Sequence, residues 1–181
     1  MVRLTNYKLQ KSAWDTALDC LSRRALTNHE LETRLSDKGF EIEEIHKAMH
    51  KLENYGYLND QELALNYSKG RLKRYSRRRV IADMQNRGIA PHLIEQVLGE
   101  VYSRDEESQQ CLSLARKWWA QEEQHWEEKV SKETNRKFVP VKLWVQQKVA
   151  RKLMQRGYSS DMVRDVIAEI QSLRNNEMTD F

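Results

Sequence analysis

The chain has 181 residues, 39% of them hydrophobic and 32% charged, with a mean hydropathy of -0.85; this is enough apolar material for a small core. No run of about 18 apolar residues offers a membrane span, and MVRLTNYKLQKSAWDTALD lacks the apolar stretch of a secretory signal, so membrane insertion and secretion are set aside and a cytoplasmic protein is expected. Two prolines and few β-branched runs favour an all-α fold, and a formal charge of +4 with a pI near 9.0 leaves room for an anionic partner.

In chain order, the first predicted helix runs from Ala13 to Ala25 and holds Cys20. Thr27 then has the chemistry of an N-cap, and Glu30 completes a capping box. The helix that follows carries Leu31 and Leu35 on one face and ends at Lys38-Gly39-Phe40. A third helix presents Ile45, Ala48, Met49 and Leu52. The same succession returns twice. Asp60 to Leu72 is helical, Ser76 is an N-cap, Val80 and Met84 precede Arg87-Gly88-Ile89, and Ile94, Val97, Leu98 and Val101 share the next face. Glu106 to Ala120, which holds Cys111, is followed by a helix bearing Val149 and Leu153 that ends at Arg156-Gly157-Tyr158; Val163, Val166, Ile167 and Ile170 then repeat the face.

A helix that ends in the left-handed conformation needs a residue without a Cβ, and the apolar residue after it folds back on the last turn. The recurrence of the glycine with matching apolar positions on both sides therefore predicts a repeat. The fold expected is all-α: an elongated tandem array of three three-helix repeats at 1–57, 58–103 and 104–181. The glycines fall 49 and 69 residues apart, so the third repeat carries about twenty extra residues near 121–140, either a helical extension or a long loop. Pro140 suits the first position of the helix after it. The two cysteines have no partner spacing and read as reduced core thiols.

The charges are uneven. From Lys69 to Arg87 the cations are Lys69, Arg71, Lys73, Arg74, Arg77, Arg78, Arg79 and Arg87, against Asp83 alone. Three of them follow the N-cap Ser76, where cations oppose the helix dipole and where a bound anion would be favoured. Lys148 is the repeat equivalent of Arg79, and with Arg151, Lys152 and Gln155 it flanks its helix; Arg136, Lys137 and Lys142 lead into it. The equivalent residue in the first repeat is Glu30, and Asn28 to Glu53 is net acidic, so an anionic partner is expected at repeats two and three and not at one. Tyr75, Trp118, Trp119, Trp126 and Trp144 lie among these cations; exposed, they could stack on bases, but the spacing of Trp118 and Trp144 favours core packing.

No catalytic set is present: there is no phosphate-binding GxxxxGK, no GxSxG and no triad spacing, so no enzyme activity and no cofactor are expected. His46 and His50 are spaced like a zinc pair, but Lys47 stands where a metalloprotease needs glutamate, and no metal is assigned. Asn59-Asp60-Gln61-Glu62 reads as a cap followed by first-turn acids rather than a carboxylate site.

The stretch GYLNDQELALNYSKGRLKRYSRRRVIADMQNRGI, Gly56 to Ile89, resembles the central signature of the RecX regulatory proteins in Gly56-Tyr57-Leu58-Asn59-Asp60, Ala64, Tyr75, Arg79-Val80, Met84 and Arg87-Gly88-Ile89. With Leu31, the first-repeat glycine and the third repeat, the likeness covers most of Leu18 to Leu173. It implies a curved helical array that lodges along the groove of a RecA filament and inhibits the ATPase, strand-exchange and coprotease activities of RecA. Taken with the uneven charges, a monomer is expected that meets single- or double-stranded DNA mainly through repeats two and three. Two other readings of the same residues are a helix-turn-helix protein that reads DNA sequence and a helical scaffold that binds protein only.

Overall fold

A computed structural model describes residues 11–132 and 140–177, and among these it holds nine helices and no strand. They are α1 (Ala13–Leu21), α2 (Asn28–Asp37), α3 (Ile42–Asn54), α4 (Asp60–Arg71), α5 (Arg77–Asn86), α6 (Pro91–Val101), α7 (Arg104–Lys132), α8 (Val141–Gln155) and α9 (Ser160–Glu177). The chain divides into two compact units. One takes the described residues of Met1–Tyr67 and Asp83–Val97, the other those of Ser68–Ala82 and Leu98–Phe181, so α4, α5 and α6 each give part of their length to both.

The repeat pattern becomes core. Ala17, Leu26, Leu31, Leu35, Ile45, Leu52 and Leu58 form the buried cluster of the first unit. Cys111, Ala115, Trp119, Val145, Val149, Leu153, Tyr158, Val163, Val166, Ile167 and Ile170 form that of the second. In the middle repeat Val80, Met84, Ile89, Ile94, Val97 and Leu98 are buried as well. Each fully buried leucine or isoleucine contributes roughly 1.5–3 kcal/mol through the surface it removes from water. Both cysteines are free; burial, and then the Glu107 charge, push the Cys111 thiol up to about 12, so it stays protonated.

The recurring glycines cap α2, α5 and α8 with φ of 83°, 78° and 91°. In each case the residue after the glycine donates its N–H to the carbonyl five residues back: Phe40 to Leu35, Ile89 to Met84 and Tyr158 to Leu153. Gly56 ends α3 in the same way, with φ of 72° and Tyr57 N–H on Leu52 O at 2.9 Å. The capping box at Thr27 and Glu30 is present.

The ends of α1 and α8 differ from the sequence reading, and the alternative left open for the insert is decided in its first part. Helix α1 stops at Leu21, because Ser22 closes it with its N–H on Leu18 O and its Oγ on Asp19 O, and the chain turns towards Thr27. Pro140 is the N-cap of α8 rather than its first residue; either position tolerates the missing N–H. Helix α7 continues through Lys132, so the first part of the insert is a helical extension, and residues 133–139, with Arg136 and Lys137, lie outside the described residues. No glycine or proline interrupts the extension. Its buried Glu122 pairs with Lys152, Glu123 pairs with Arg174 at 2.8 Å, and the His125 ring stacks on Trp144, which anchors it to α8 and α9 without an apolar stripe.

Within each unit one helix start is held by the same two devices. In the first, the α2 start receives the α5 end: Thr27 Oγ1 donates to Arg87 O at 2.6 Å, and the Arg87 guanidinium donates to Ala25 O at 3.2 Å and to both oxygens of Glu30 at 3.1 and 2.8 Å. Asp60 Oδ1, from α4, accepts the Asn28 N–H at 2.9 Å. In the second, the α5 start receives the α8 end: Ser76 N–H donates to Arg156 O at 3.0 Å, and Arg156 donates to Arg74 O at 3.4 Å. Glu107 Oε1, from α7, accepts the Arg77 N–H at 2.8 Å. In each unit a carboxylate from a following helix thus takes a helix-start amide that would otherwise be orphaned, and the carbonyl of an Arg-Gly end accepts from the N-cap residue, from the Thr27 hydroxyl in the first and the Ser76 N–H in the second. The approach is close, because a Cβ on Gly88 would lie 2.4 Å from His29 Cβ, and one on Gly157 would lie 2.6 Å from Ser76 Oγ and 2.7 Å from Arg79 Cβ.

Candidate nucleic-acid interface

Between Lys69 and Ala82 the chain carries seven cations and no carboxylate, and this whole segment belongs to the second compact unit together with α8. Lys69, Arg71, Lys73, Arg74, Arg78 and Arg79 are exposed along the end of α4, the turn and the start of α5. Ser76 caps α5 with its Oγ on the Arg79 N–H at 3.2 Å, which sets the rotation of the helix and sends Arg78 and Arg79 outward while Val80 is buried. Gln110 Nε2 holds the Lys73 carbonyl at 2.6 Å and so ties the turn to α7. On α8, Lys142 and Arg151 are exposed, and Lys148 and Lys152 are half-buried.

Arg77 is employed differently. Its guanidinium donates to Leu98 O at 3.0 Å and Tyr102 O at 2.9 Å, closing the carbonyl end of α6, while its own N–H is taken by Glu107. The sequence suggested that a stable helix gains nothing from a cation in this place; the structure gives it a capping role. The anion that the α5 start calls for is, at Arg77, a carboxylate of the chain itself.

Arg87 likewise works inside the fold. It belongs to the first unit, with Glu30 as its partner and the Tyr67 ring 5.5 Å from its guanidinium carbon. Lys152 is paired with Glu122. Burial alone would push the Glu30 carboxyl up, but hydrogen bonds from Arg87 and from the Thr27 N–H outweigh it and hold it below the ordinary value of 4.5.

The aromatic residues are partly sheathed by cations. Arg156 lies 4.7 Å from the Tyr75 centroid and 5.6 Å from that of Trp118, Lys152 lies 5.8 Å from Trp118, and Lys148 lies 5.2 Å from Trp144. Trp119 is 2% exposed, and Trp118 and Trp144 pack against the buried cluster of the second unit, as their spacing indicated. The roles of Glu107 and Arg156 escaped the sequence reading. A signal for Arg156 was present, since arginine precedes the glycine in the second and third repeats and lysine does so in the first.

Among the described residues no group of histidine, cysteine and carboxylate side chains is placed to hold a metal, and no helix is long and apolar enough to cross a membrane. His46 instead faces Glu32 at 3.8 Å, and Asn59 caps α4 through the Glu62 N–H.

Comparison with known proteins decides the family. A model described as RecX, first three-helix domain, matches residues 13–52, and one described as RecX, second three-helix domain, matches residues 59–98. The chain belongs to the RecX family. A regulatory protein RecX of Caldanaerobacter subterraneus is 34% identical over 113 residues, 62% of this chain and 57% of that relative. One from Legionella pneumophila is 27% identical over 161 residues, 88% of this chain and 95% of the relative. The crystal structure of RecX from Lactobacillus salivarius shares the fold, with a TM-score of 0.63 and 20% identity over 88% of this chain and 94% of that one. These RecX relatives are named as regulatory proteins, and the two matched domains account for α1 to α6 as two three-helix repeats.

Proposed function

We propose that the chain regulates RecA by binding the recombinase filament and its DNA and restraining ATPase, strand exchange and coprotease activity, without catalysing a reaction of its own. It acts as a monomer in the cytoplasm and needs no cofactor. The observation that carries this reading, beyond the family, is the exposed run Lys69, Arg71, Lys73, Arg74, Arg78 and Arg79, with no acidic residue between Lys69 and Ala82. Such a surface neutralises phosphates and releases counterions, giving affinity without reading bases. Lys142, Lys148 and Arg151 of α8 add to it. Arg77, Arg87 and Lys152 support the fold and are left out of the contact set, on the geometry of their internal partners.

The test is binding to single-stranded DNA and to an assembled RecA–DNA filament over a salt series, with filament ATPase as the second readout. Replacing Arg74, Arg78 and Arg79 together by alanine is expected to weaken binding and, on single-stranded DNA, to flatten the salt slope by up to about two units if all three meet phosphates. A folded triple variant that binds and inhibits as well as the parent would remove the reading. Strong discrimination between DNA sequences would favour a helix-turn-helix reader instead.

A further inference from the structure

The net acidity of Asn28 to Glu53 argued that the first repeat meets no anion, yet the fold assembles a cationic concavity there from residues that the sequence keeps apart. Lys11, Arg23, Arg34 and Lys38 line a cavity of about 700 Å³ with Thr16, Asp19, Cys20 and Phe40. Helix α1 supplies Thr16, Asp19 and Cys20, the turn after it Arg23, the last part of α2 Arg34, its C-cap Lys38 and the residue after Gly39 Phe40. We propose that this cavity is a phosphate-binding site, separate from the basic surface of the second unit.

Four cations face one carboxylate, a net of three positive charges. The ends of α1 and α2 nearby each bring a partial charge of roughly −0.5, which lowers the sum without changing its sign. Asp19 is taken by Lys11, and among the described residues Arg23, Arg34 and Lys38 enter no ion pair. The field is felt inside the cavity: the Asp19 carboxyl is held below its ordinary value first by the hydrogen bond and charge of Lys11 and then by Arg23 and Lys38. Charge repulsion alone would splay these side chains into water. Two guanidinium forks and a free ammonium around one concavity suit a multiply charged ligand with several acceptor oxygens, whereas a single carboxylate would leave most of the charge uncompensated. The half-buried ring of Phe40 gives the cavity an apolar wall. Phosphates of a free polyphosphate and of a nucleic-acid strand share this chemistry.

The experiment follows backbone amide resonances of the full chain, at constant ionic strength, while inorganic tripolyphosphate and an oligothymidylate are titrated in separately. The site predicts saturable shifts centred on Thr16 to Phe40. Arg34→Gln with Lys38→Gln is expected to weaken them by about tenfold or more, and Lys117→Gln, at an exposed lysine of α7, to leave them unchanged. Saturation by tripolyphosphate alone identifies a free phosphate ligand, and saturation by the oligonucleotide alone a strand; both support the site. Should the double variant lose the resonance pattern of the fold, Arg23→Gln, which lies outside any helix, serves in its place. Absence of saturable shifts at Thr16 to Phe40 with either ligand, or equal affinity in a folded variant, overturns the proposal.

Discussion

Alanine at the three repeat glycines separates a backbone role from a docking role. All three have positive φ, and an L-residue held there costs roughly 1–2 kcal/mol. At Gly39 nothing lies within 4 Å of an added Cβ, so that is the whole expected loss. At Gly88 the same Cβ would meet His29 Cβ at 2.4 Å and the ring at 2.5 Å, against the 3.5–4.0 Å or so of an ordinary carbon contact. The His29 Cβ is fixed to the α2 backbone and cannot rotate aside. The α5 end must therefore back away from α2, stretching the Thr27 to Arg87 bond and the Arg87–Glu30 pair, which adds about 1–3 kcal/mol of overpacking. Gly88→Ala should thus lose about 2–5 kcal/mol and Gly39→Ala about 1–2, with Gly157→Ala near the former because its Cβ would meet Ser76 and Arg79. Urea titrations followed by circular dichroism give the three losses. Adding His29→Gly to Gly88→Ala should recover much of the packing part. Equal losses at Gly39 and Gly88, or no recovery, would refute the docking role of the Arg-Gly end.

Removing Arg77 should act on stability and removing Arg78 on binding: Arg77→Ala orphans two carbonyls at the end of α6 and is expected to cost about 1–3 kcal/mol in a denaturant titration, whereas Arg78→Ala should leave the midpoint within about 0.5 kcal/mol. Glu30 and Asp60 should respond to pH in opposite senses. The Glu30 carboxyl is held low, so its pairing with Arg87 stabilises the fold above about pH 4.5 and is lost as pH falls; Glu30→Gln should therefore destabilise at neutral pH, with the two midpoint curves converging in acid. Burial raises the Asp60 carboxyl despite the Asn28 N–H, so its contribution is full below the ordinary 3.8 and is lost as pH rises; Asp60→Asn, which keeps an accepting oxygen, should not destabilise at neutral pH.

The sequence by itself determined whatever depends on near neighbours. Apolar residues at helical spacing, Thr27 with Glu30, and a glycine before each bulky residue are local statements of helix face, start and stop; the buried faces and the three glycine caps follow them closely. The length of α7 was undecided for the same reason, because Glu122, Glu123 and His125 have no stripe of their own and are held by Lys152, Arg174 and Trp144 from later helices. Only the tertiary structure decided which charges are spent inside the molecule. A cation looks alike in sequence whether its partner is a phosphate or an acceptor far along the chain, and the Arg77 guanidinium on Leu98 O and Tyr102 O, like that of Arg87 on Glu30, has a partner of the second kind. The converse holds for Lys11, Arg23, Arg34 and Lys38: charge counted along the chain cancels against neighbouring acids, while the field at a point depends on distance in space, and folding sets those distances.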